Sequence, residues 1–459
     1  MKRRGSLVCG GLIAAGLLLA SSAFAQEKNV AVEILDILKA NGQISDQQYR
    51  DLMIKAQAEG EKVEAAVRAG EAKAPDPKTM RVYWSSGLRL KSNDGNYSLK
   101  IGGRIMNDWA IYSTDSDAPD DFRSIGDGTE VRRARLYMEG EIYTNIKYKI
   151  GYDFGGQDAD FKDVYIELKK IPTLGNLRIG HFKEPMSLEQ LTSSKYMTFM
   201  ERSLADTFVQ GRNTGFQIAN TFADRRATAA VGVFRDVGDS GNRFGKNSDY
   251  NLTARVTALP WYEDKGQRLL HLGFGYTHEF RDKDSDIRFR ARPEAHLGPR
   301  FVDTGRFKAD SIDYFNPEVA AVYGPFSVQG EYVFSEVNDS NQGGDLSFDG
   351  AYIYASVFLT PGDYRRYKTS SGAFDRIKPA RDLSWSGGGY GAVEAALRYS
   401  HLDLTDGMVR GGTLGNFTAG LNWYLNPNVR FMLNYVHADQ QHPYDFDADI
   451  VQMRAQLDF

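Results

Sequence analysis

The amino-acid sequence predicts an all-β protein, a 16-stranded antiparallel transmembrane β-barrel preceded by a short α-helical N-terminal region. From residue 82 onward, apolar and polar residues alternate in stretches of roughly ten, the length that a tilted strand needs to cross a bilayer. The mean hydropathy is only −0.45, although the chain contains 25 Tyr, 26 Phe and 46 Gly. A barrel with apolar side chains outside and polar side chains inside has this composition.

Residues 1–25 are predicted to be a secretory signal peptide. Residues 2–4 are basic, residues 7–20 are apolar or small, and residues 23–25 (Ala-Phe-Ala) fit a cleavage site. The only cysteine, Cys9, lies in this segment, so the mature chain is expected to contain no disulfide and no thiolate metal ligand. The remaining sequence has no apolar run of about 18 residues, which excludes a membrane-spanning helix.

Residues 26–78 are predicted to form a helical segment in the periplasm. Ser45 and Gln48 have the spacing of a capping box, and the apolar residues that follow favour one helical face. Prolines at positions 75 and 77 end the segment. A trimeric coiled coil is one alternative, although strict heptads do not continue over three or more repeats.

The alternating stretches give seventeen candidate strands, whereas a barrel with both ends on one side of the membrane needs an even number. The short turns, such as those at Asn145 and Pro427, lie at one end only if residues 287–302 are not a wall strand. The sequence therefore predicts a barrel over residues 79–459 and a long basic loop, 282–309, that can fold inward. The terminal Phe459 closes an amphipathic strand, as is typical of bacterial outer-membrane barrels.

Residues 177–202, which begin Leu-Arg-Ile-Gly-His-Phe-Lys-Glu-Pro-Met, resemble the phosphate-selective porin O and P family. This resemblance covers residues 80–459. It implies a homotrimer of barrels in the outer membrane that passes anions, with basic residues staged along each pore. It also implies that loop 184–212 folds inward and narrows the lumen. Further matching pieces, in the same order, are residues 101–104, 132–134, 146–148, 375–379 and 421–424.

The expected partners are outer-membrane lipid and lipopolysaccharide, and inorganic phosphate or another anion. Nucleic acid is not expected, because the chain is exported. The sequence contains no glycine-rich phosphate loop, zinc pattern or nucleotide fingerprint, so we expect no enzyme activity and no cofactor. Residues 437–442 contain two histidines and an aspartate, but we interpret them as a polar surface loop and not as a metal site.

One cluster of candidate anion ligands consists of Arg132, Arg133 and Arg135. A guanidinium group can replace the hydration shell of an oxyanion with two parallel hydrogen bonds. Because adjacent strand residues point to opposite faces, Arg132 and Arg133 can both face the lumen only at a strand end or a bulge. The alternative is that one of them binds lipopolysaccharide phosphate at the rim.

A second cluster consists of Arg288, Arg290 and Arg292, which alternation places on one face of loop 282–309. We expect this row to form a ladder for anions along the lumen. The alternative is a solvated external strand that pairs with nearby aspartates. The remaining candidate pore-lining residues are Arg104, Lys147, Ser193, Ser194 and Lys195.

The sequence departs from the family pattern at the predicted constriction. Gln190 stands where the family has a lysine, and Lys162, next to Asp163, stands where it has an aspartate. General anion attraction is therefore expected from the residues, whereas a preference for phosphate is implied only by the resemblance. Two alternatives stay open, a general or other-solute diffusion porin and a structural envelope tether through residues 26–78.

Overall fold

The computed structural model describes residues 32, 34–70, 78–156, 159–238, 241–244, 249–282 and 285–459. The predicted signal peptide lies outside these residues. The chain divides into two compact units, Met1–Thr79 and Met80–Phe459. None of the helices within the described residues is both long and apolar enough to cross a membrane.

The described part of the first unit is helical, as the sequence predicts. Residues 34–40 form one helix, and α1 (Asp46–Gly70) forms the next. The capping box at the start of α1 is present, because Gln48 N–H donates to Ser45 Oγ at 3.3 Å and Ser45 N–H donates to Gln48 Oε1 at 2.9 Å. The Tyr49 hydroxyl donates to the Asp36 carboxylate at 2.6 Å, which joins the two helices.

Among the described residues of the second unit, sixteen strands form the wall of an antiparallel barrel. A hairpin, β1 (Met80–Trp84) and β2 (Leu88–Ser92), pairs with the start of the first wall strand. Four two-residue strands lie outside the wall: β12 (Arg290–Ala291), β13 (Val302–Asp303), β17 (Tyr367–Lys368) and β18 (Ala373–Phe374). The wall strands are β3 (Tyr97–Thr114), β4 (Gly128–Ile142), β5 (Ile146–Asp153), β6 (Asp160–Ile171), β7 (Gly175–Lys183), β8 (Arg212–Phe222), β9 (Ala227–Arg235), β10 (Tyr250–Glu263), β11 (Arg268–Phe280), β14 (Ser311–Tyr323), β15 (Phe326–Ser340), β16 (Gly344–Phe358), β19 (Ala392–Asp406), β20 (Val409–Asn426), β21 (Val429–Gln441) and β22 (Phe446–Asp458).

The barrel closes where β22 pairs with β3, in a register that runs from Ala448↔Thr114 to Asp458↔Arg104. The C-terminal residue extends this seam, because Gly103 and Phe459 exchange backbone hydrogen bonds at 2.9 and 3.1 Å. Residues 287–302 do not belong to the wall, since β12 pairs only with β13. The predicted count of sixteen strands is therefore confirmed.

At one end of the barrel, the short-turn end, every connection but one is short, as at 143–145, 324–325 and 427–428. Long connections, such as 184–211 and 281–310, gather at the other, the loop end. In bacterial barrels the short turns face the periplasm. One long connection, residues 359–391 between β16 and β19, starts from the short-turn end, and the sequence does not predict that it enters the lumen.

The wall has apolar side chains on its outer face and polar side chains on its inner face, the reverse of the arrangement in a soluble protein. Along β22 the outward Val451 and Met453 are exposed, whereas the inward Arg454 and Gln456 are buried. Apolar side chains on the outside suit a hydrocarbon surrounding, and polar side chains on the inside suit a hydrated or ion-paired lumen. The interior that these residues face is the location of the candidate site.

Candidate functional site

Among the described residues, three segments enter the lumen: residues 184–211, segment 281–310 without residues 283–284, and residues 359–391. Their apolar side chains pack against one another and against the lumen face of the wall. Phe199 contacts Tyr354 of β16, and Phe289 contacts Phe208 and Phe348, each edge-to-face with ring centroids 5.2 to 5.7 Å apart. The segments thus fill the part of the lumen beside β14–β16 and β19–β22, which we call the packed half. The part beside β4–β9 is the open half.

Ion pairs hold the inserted segments in the packed half. Glu294, from segment 281–310, accepts hydrogen bonds from Arg398 and Ser400 of β19 and from Thr418 of β20 at 2.9 Å. It also accepts the backbone N–H of Leu204, in segment 184–211, at 3.2 Å. This one carboxylate therefore ties two inserted segments to the wall.

Arg132 and Arg133 both face the lumen because of a β-bulge. The register of β3 and β4 passes from Met106↔Arg133 to Asn107↔Val131, which leaves Arg132 as the extra residue. Arg132 Nε and Nη2 donate to the two oxygens of Glu201 at 3.0 Å each, and Arg133 Nη1 lies 3.6 Å from the same carboxylate. The structure brings the predicted pair together on an acid of segment 184–211.

A cavity of about 810 Å³ occupies the open half. Its described lining residues include only three acids, Glu139, Asp163 and Glu167, against fourteen lysines and arginines. Eight of these cations pair with a carboxylate at 2.5 to 3.7 Å, and the other six give the cavity a net positive field. The basic lining residues are Arg104, Arg133, Arg135, Lys147, Lys149, Lys169, Lys170, Arg178, Lys183, Arg202, Arg212, Arg225, Arg255 and Lys368.

Hydrogen bonds orient the cations at the deep side of this cavity. Arg104 Nη1 donates to Ser194 Oγ at 2.6 Å. Asp163 accepts from both Lys149 and Arg212, at 2.8 Å each. Arg202 donates to three backbone carbonyls of segment 184–211, at 3.3 to 3.4 Å, and its Nε lies 3.7 Å from Asp206 Oδ1.

Six of the predicted site residues line the cavity: Arg104, Arg133, Arg135, Lys147, Ser193 and Ser194. Two others do not. Arg132 lies at the bulge on Glu201, and Lys195 is buried with its Nζ 3.3 Å from Asp458. Lys195 thus connects segment 184–211 to the end of the last strand.

The arginine row of segment 281–310 lies away from the cavity. The intervening Ile287, Phe289 and Ala291 are buried in the packed half, which turns Arg288 and Arg290 toward the exterior. Arg288 forms a bidentate pair with Asp303 at 2.5 and 2.7 Å. The row does form a cationic cluster, because burial and the charges of Arg292, Arg290 and Arg288 lower the pKa of Arg300.

The structure shows where the residues lie at the two positions, 162 and 190, that depart from the family pattern. Lys162 donates to Asp160 at 3.2 Å and is absent from the described cavity lining, whereas its neighbour Asp163 lines the cavity. An aspartate is therefore present in the cavity despite the lysine at position 162. The buried Gln190 contributes its backbone carbonyl, which accepts hydrogen bonds from Lys183 and Arg202.

Several lining cations were not singled out from the sequence. Lys149 lies two residues after Lys147 on β5, so alternation alone places both side chains on one face. Arg212 and Arg202 offer no such signal, because their positions depend on where segment 184–211 folds. Among the described residues, no group of three or more His, Cys, Asp and Glu side chains could hold a metal ion.

Comparisons with known proteins identify a porin family to which this chain is similar. The family model for the phosphate-selective porins O and P matches residues 99–459. Porin O of Pseudomonas aeruginosa is 28% identical over 398 residues, which cover 77% of this chain and 85% of that protein. An uncharacterized protein of Caulobacter vibrioides is also 28% identical, over 82% of this chain and 77% of that protein.

Two solved structures show the same fold. An anion-selective porin from Comamonas acidovorans has a TM-score of 0.50 and 13% identity, and the match covers 79% of this chain and 100% of that one. The outer-membrane channel DcaP of Acinetobacter baumannii has a TM-score of 0.50 and 11% identity, over 80% of this chain and 99% of that one. At these identities the likeness concerns the barrel architecture alone.

Proposed function

Because the chain belongs to the phosphate-selective porin O and P family, we propose that it allows passive, anion-selective diffusion across the outer membrane, with phosphate or a related oxyanion as solute. The observation that supports this most is that six of the fourteen basic residues around the cavity have no carboxylate partner among the described residues. Low-dielectric walls strengthen such a field, which concentrates anions and repels cations.

An anion can pass through the pore only if each site along it binds the anion weakly enough to release it. Several moderate sites along a path achieve this better than one tight site. Arg104 and Lys147 would offer charge, and Ser193 and Ser194 would offer neutral hydroxyl donors. Asp163 would weaken the hold of Lys149 and Arg212 on an anion, because it already engages both cations.

The remaining predicted residues would act outside the cavity. Arg132 and Lys195 would position segment 184–211 through Glu201 and Asp458. Arg288, Arg290 and Arg292 would attract anions to the loop end over a distance, an effect that salt screens.

We further propose a homotrimer whose contacts involve the wall around β5, β7 and β9. These strands have only 8, 9 and 9 residues, whereas β20 has 18. About 9–11 residues are needed to span the membrane, so β5 is too short and β7 and β9 are at the lower limit, which makes this wall better suited to protein contact than to lipid. Residues 26–78 would lie in the periplasm, because the barrel chain begins at the short-turn end.

A planar bilayer under a salt gradient tests the function. We expect a reversal potential on the anion side and a block of chloride current by phosphate. A cation-selective channel would overturn the proposal. Chloride current that phosphate leaves unchanged would instead favour a diffusion porin without an oxyanion preference.

Variants of cavity residues test whether the cavity determines this anion selectivity. The double variant Arg104→Gln, Lys147→Gln should reduce the anion-to-cation permeability ratio severalfold. Arg268→Gln is the matched control, because Arg268 lies beside a short turn, pairs with Glu263 and is absent from the described cavity lining. Equal effects of the two changes would remove the cavity residues from the mechanism.

A further inference from the structure

Residues 194–201 belong to no helix or strand, yet side chains hold almost every backbone carbonyl of this stretch in place. Seven of the eight carbonyls accept a hydrogen bond from a side chain of β19–β22 or of segment 359–391, at 2.5 to 3.4 Å. The donors and the residues whose carbonyls accept are Arg430 with Ser194 and Met197, Gln456 with Lys195, Arg365 with Tyr196, Asn422 with Thr198, Arg454 with Met200, and Arg398 with Glu201. The stretch is therefore fixed against the packed half.

Arg430 of β21 differs from the other arginines that hold this stretch. The other three each form an ion pair with a carboxylate. The side chain of Arg430 is 2% exposed and forms no ion pair with any of the described residues. Its Nε and Nη2 donate instead to the amide oxygen of Gln456, at 3.1 and 3.0 Å. A buried positive charge thus lies directly behind segment 184–211 without a carboxylate partner.

The buried carboxylates around Arg430 do not cancel its charge. This cluster consists of four buried cations and two buried carboxylates: Lys195, Arg365, Arg376 and Arg430, with Glu394 and Asp458. Asp458 is shared by two of the cations, and Glu394 pairs with a third. The hydroxyl of Tyr424 lies between Glu394 and Arg430, at 2.8 and 3.5 Å from them. Even without Lys195, three arginines face two carboxylates, so the cluster has an excess of positive charge.

Ser194 connects this buried charge to the cavity. Ser194 lines the cavity, and its hydroxyl accepts a hydrogen bond from Arg104 Nη1 at 2.6 Å. Its backbone carbonyl accepts from Arg430 Nη2 at 3.4 Å. One residue therefore separates the guanidinium group in the cavity from the one behind it. Because Arg430 is buried, dissolved ions screen its charge less than they screen an exposed charge.

We propose that Arg430 is a specificity-determining residue, whose uncompensated charge adds to the positive field at Ser194 and increases the preference of the channel for anions. This inference rests on the proposed function, and Arg430 acts from behind segment 184–211 and not as an anion ligand. A purely structural role is a poorer explanation. A carboxylate at position 456 would accept the same two hydrogen bonds from the guanidinium and would also cancel its charge. The chain has the neutral amide of Gln456 there.

The main test neutralises Arg430 without removing it. Gln456→Glu replaces the amide oxygen with a carboxylate of nearly the same shape, and only the bond from Gln456 to the Lys195 carbonyl is lost. We expect the anion-to-cation permeability ratio, measured as a reversal potential in a planar bilayer, to fall by about two- to threefold. The fall should persist at about 1 M salt, because the charge is buried. Gln441→Glu is the matched control, since it adds an acid at an exposed position and should leave the ratio unchanged at high salt.

Two substitutions of Arg430 separate its charge from its hydrogen bonds. Arg430→Lys keeps the charge but loses the planar set of donors, so it should retain the anion preference while single-channel current becomes noisier. Arg430→Gln removes the charge and should lower the permeability ratio as Gln456→Glu does. Heat-modifiable mobility in gels reports that each variant is folded.

Three results would overturn the proposal. If the unaltered channel is anion-selective and Gln456→Glu has the same permeability ratio, Arg430 does not determine specificity, and the proposed function still stands. An equal loss of selectivity in Arg430→Lys and Arg430→Gln would leave Arg430 a structural role alone. A cation-selective unaltered channel would overturn both this inference and the proposed function.

Discussion

The two halves of the lumen contain the same types of charged residue but use them differently. In the packed half, most buried arginines are paired with carboxylates, as in Arg398 with Glu294 and Arg454 with Asp108, whereas Arg430 donates to Gln456 and a backbone carbonyl. In the open half, eight of the fourteen cavity-lining cations are paired in the same way, and six have no carboxylate partner among the described residues: Arg104, Lys147, Lys170, Lys183, Arg225 and Lys368. The difference teaches that the number of arginines says little about selectivity, because only those without a carboxylate partner contribute a net field.

The pairing in the packed half also explains why its arginines are tolerated there. Removing a guanidinium from water costs several kcal/mol, which a well-bonded carboxylate offsets. Arg454 donates to Asp108 through two nitrogens at 2.6 Å and to Glu201 at 2.7 Å. The packed half is therefore a scaffold, and it holds segment 184–211 against the open half.

The largest expected effect comes from breaking this scaffold. Glu294→Ala should destabilise the barrel by about 3–5 kcal/mol, because it leaves the buried charge of Arg398 with only the more distant carboxylate of Glu189, 3.6 Å from its Nη1. The midpoint of chemical unfolding in detergent micelles, followed by tryptophan fluorescence, measures the change. The inserted segments that Glu294 ties to the wall should also loosen, and single-channel conductance should rise because they fill less of the lumen.

Two further variants are controls for the predicted loss of stability in Glu294→Ala. Glu294→Gln keeps the size and most hydrogen bonds, so it should destabilise less than the alanine change. Asp286→Ala removes an exposed partner of Arg306, whose side chain is 69% exposed, and should alter stability by less than about 1 kcal/mol. Equal unfolding midpoints for Glu294→Ala and Asp286→Ala would show that the buried pairs do not hold the segments.

A smaller effect is expected in the open half. Asp163→Asn should free Lys149 and Arg212 for anions, and phosphate block of chloride current should tighten about fivefold, equivalent to about 1 kcal/mol. Asp160→Asn is the control, because Asp160 pairs with Lys162 and is absent from the described cavity lining. A weaker block in Asp163→Asn would mean that Asp163 positions these cations and does not compete for them.

The smallest effect is expected at the loop end. Arg288→Gln breaks an exposed pair with Asp303 and should alter stability by less than about 1 kcal/mol. Anion conductance should fall slightly at low salt, and the difference should vanish near 1 M salt, where the Debye length is about 3 Å. Conductance that stays lower at high salt would place Arg288 on the permeation path itself.

Some parts of the site could be predicted and others could not, for local reasons. Lys147 lies in a segment that resembles the family, and the need for a strand end or a bulge at Arg132 and Arg133 followed from their adjacency. By contrast, residues 359–391 carry no local sign that they enter the lumen. Arg365 of this segment is buried there, donating to the backbone carbonyl of Tyr196 at 3.1 Å.

The sequence by itself determined the wall: its period of two, the even number of strands and the exclusion of residues 287–302 all follow from local geometry and closure. Only the tertiary structure decided which charges are free. Alternation separates Arg288 from Phe289 but does not say which faces the lumen, and packing against Phe348 settles it. The ion pairs join residues far apart in the chain, such as Asp108 with Arg454, so their neutralising effect appears only once the barrel closes.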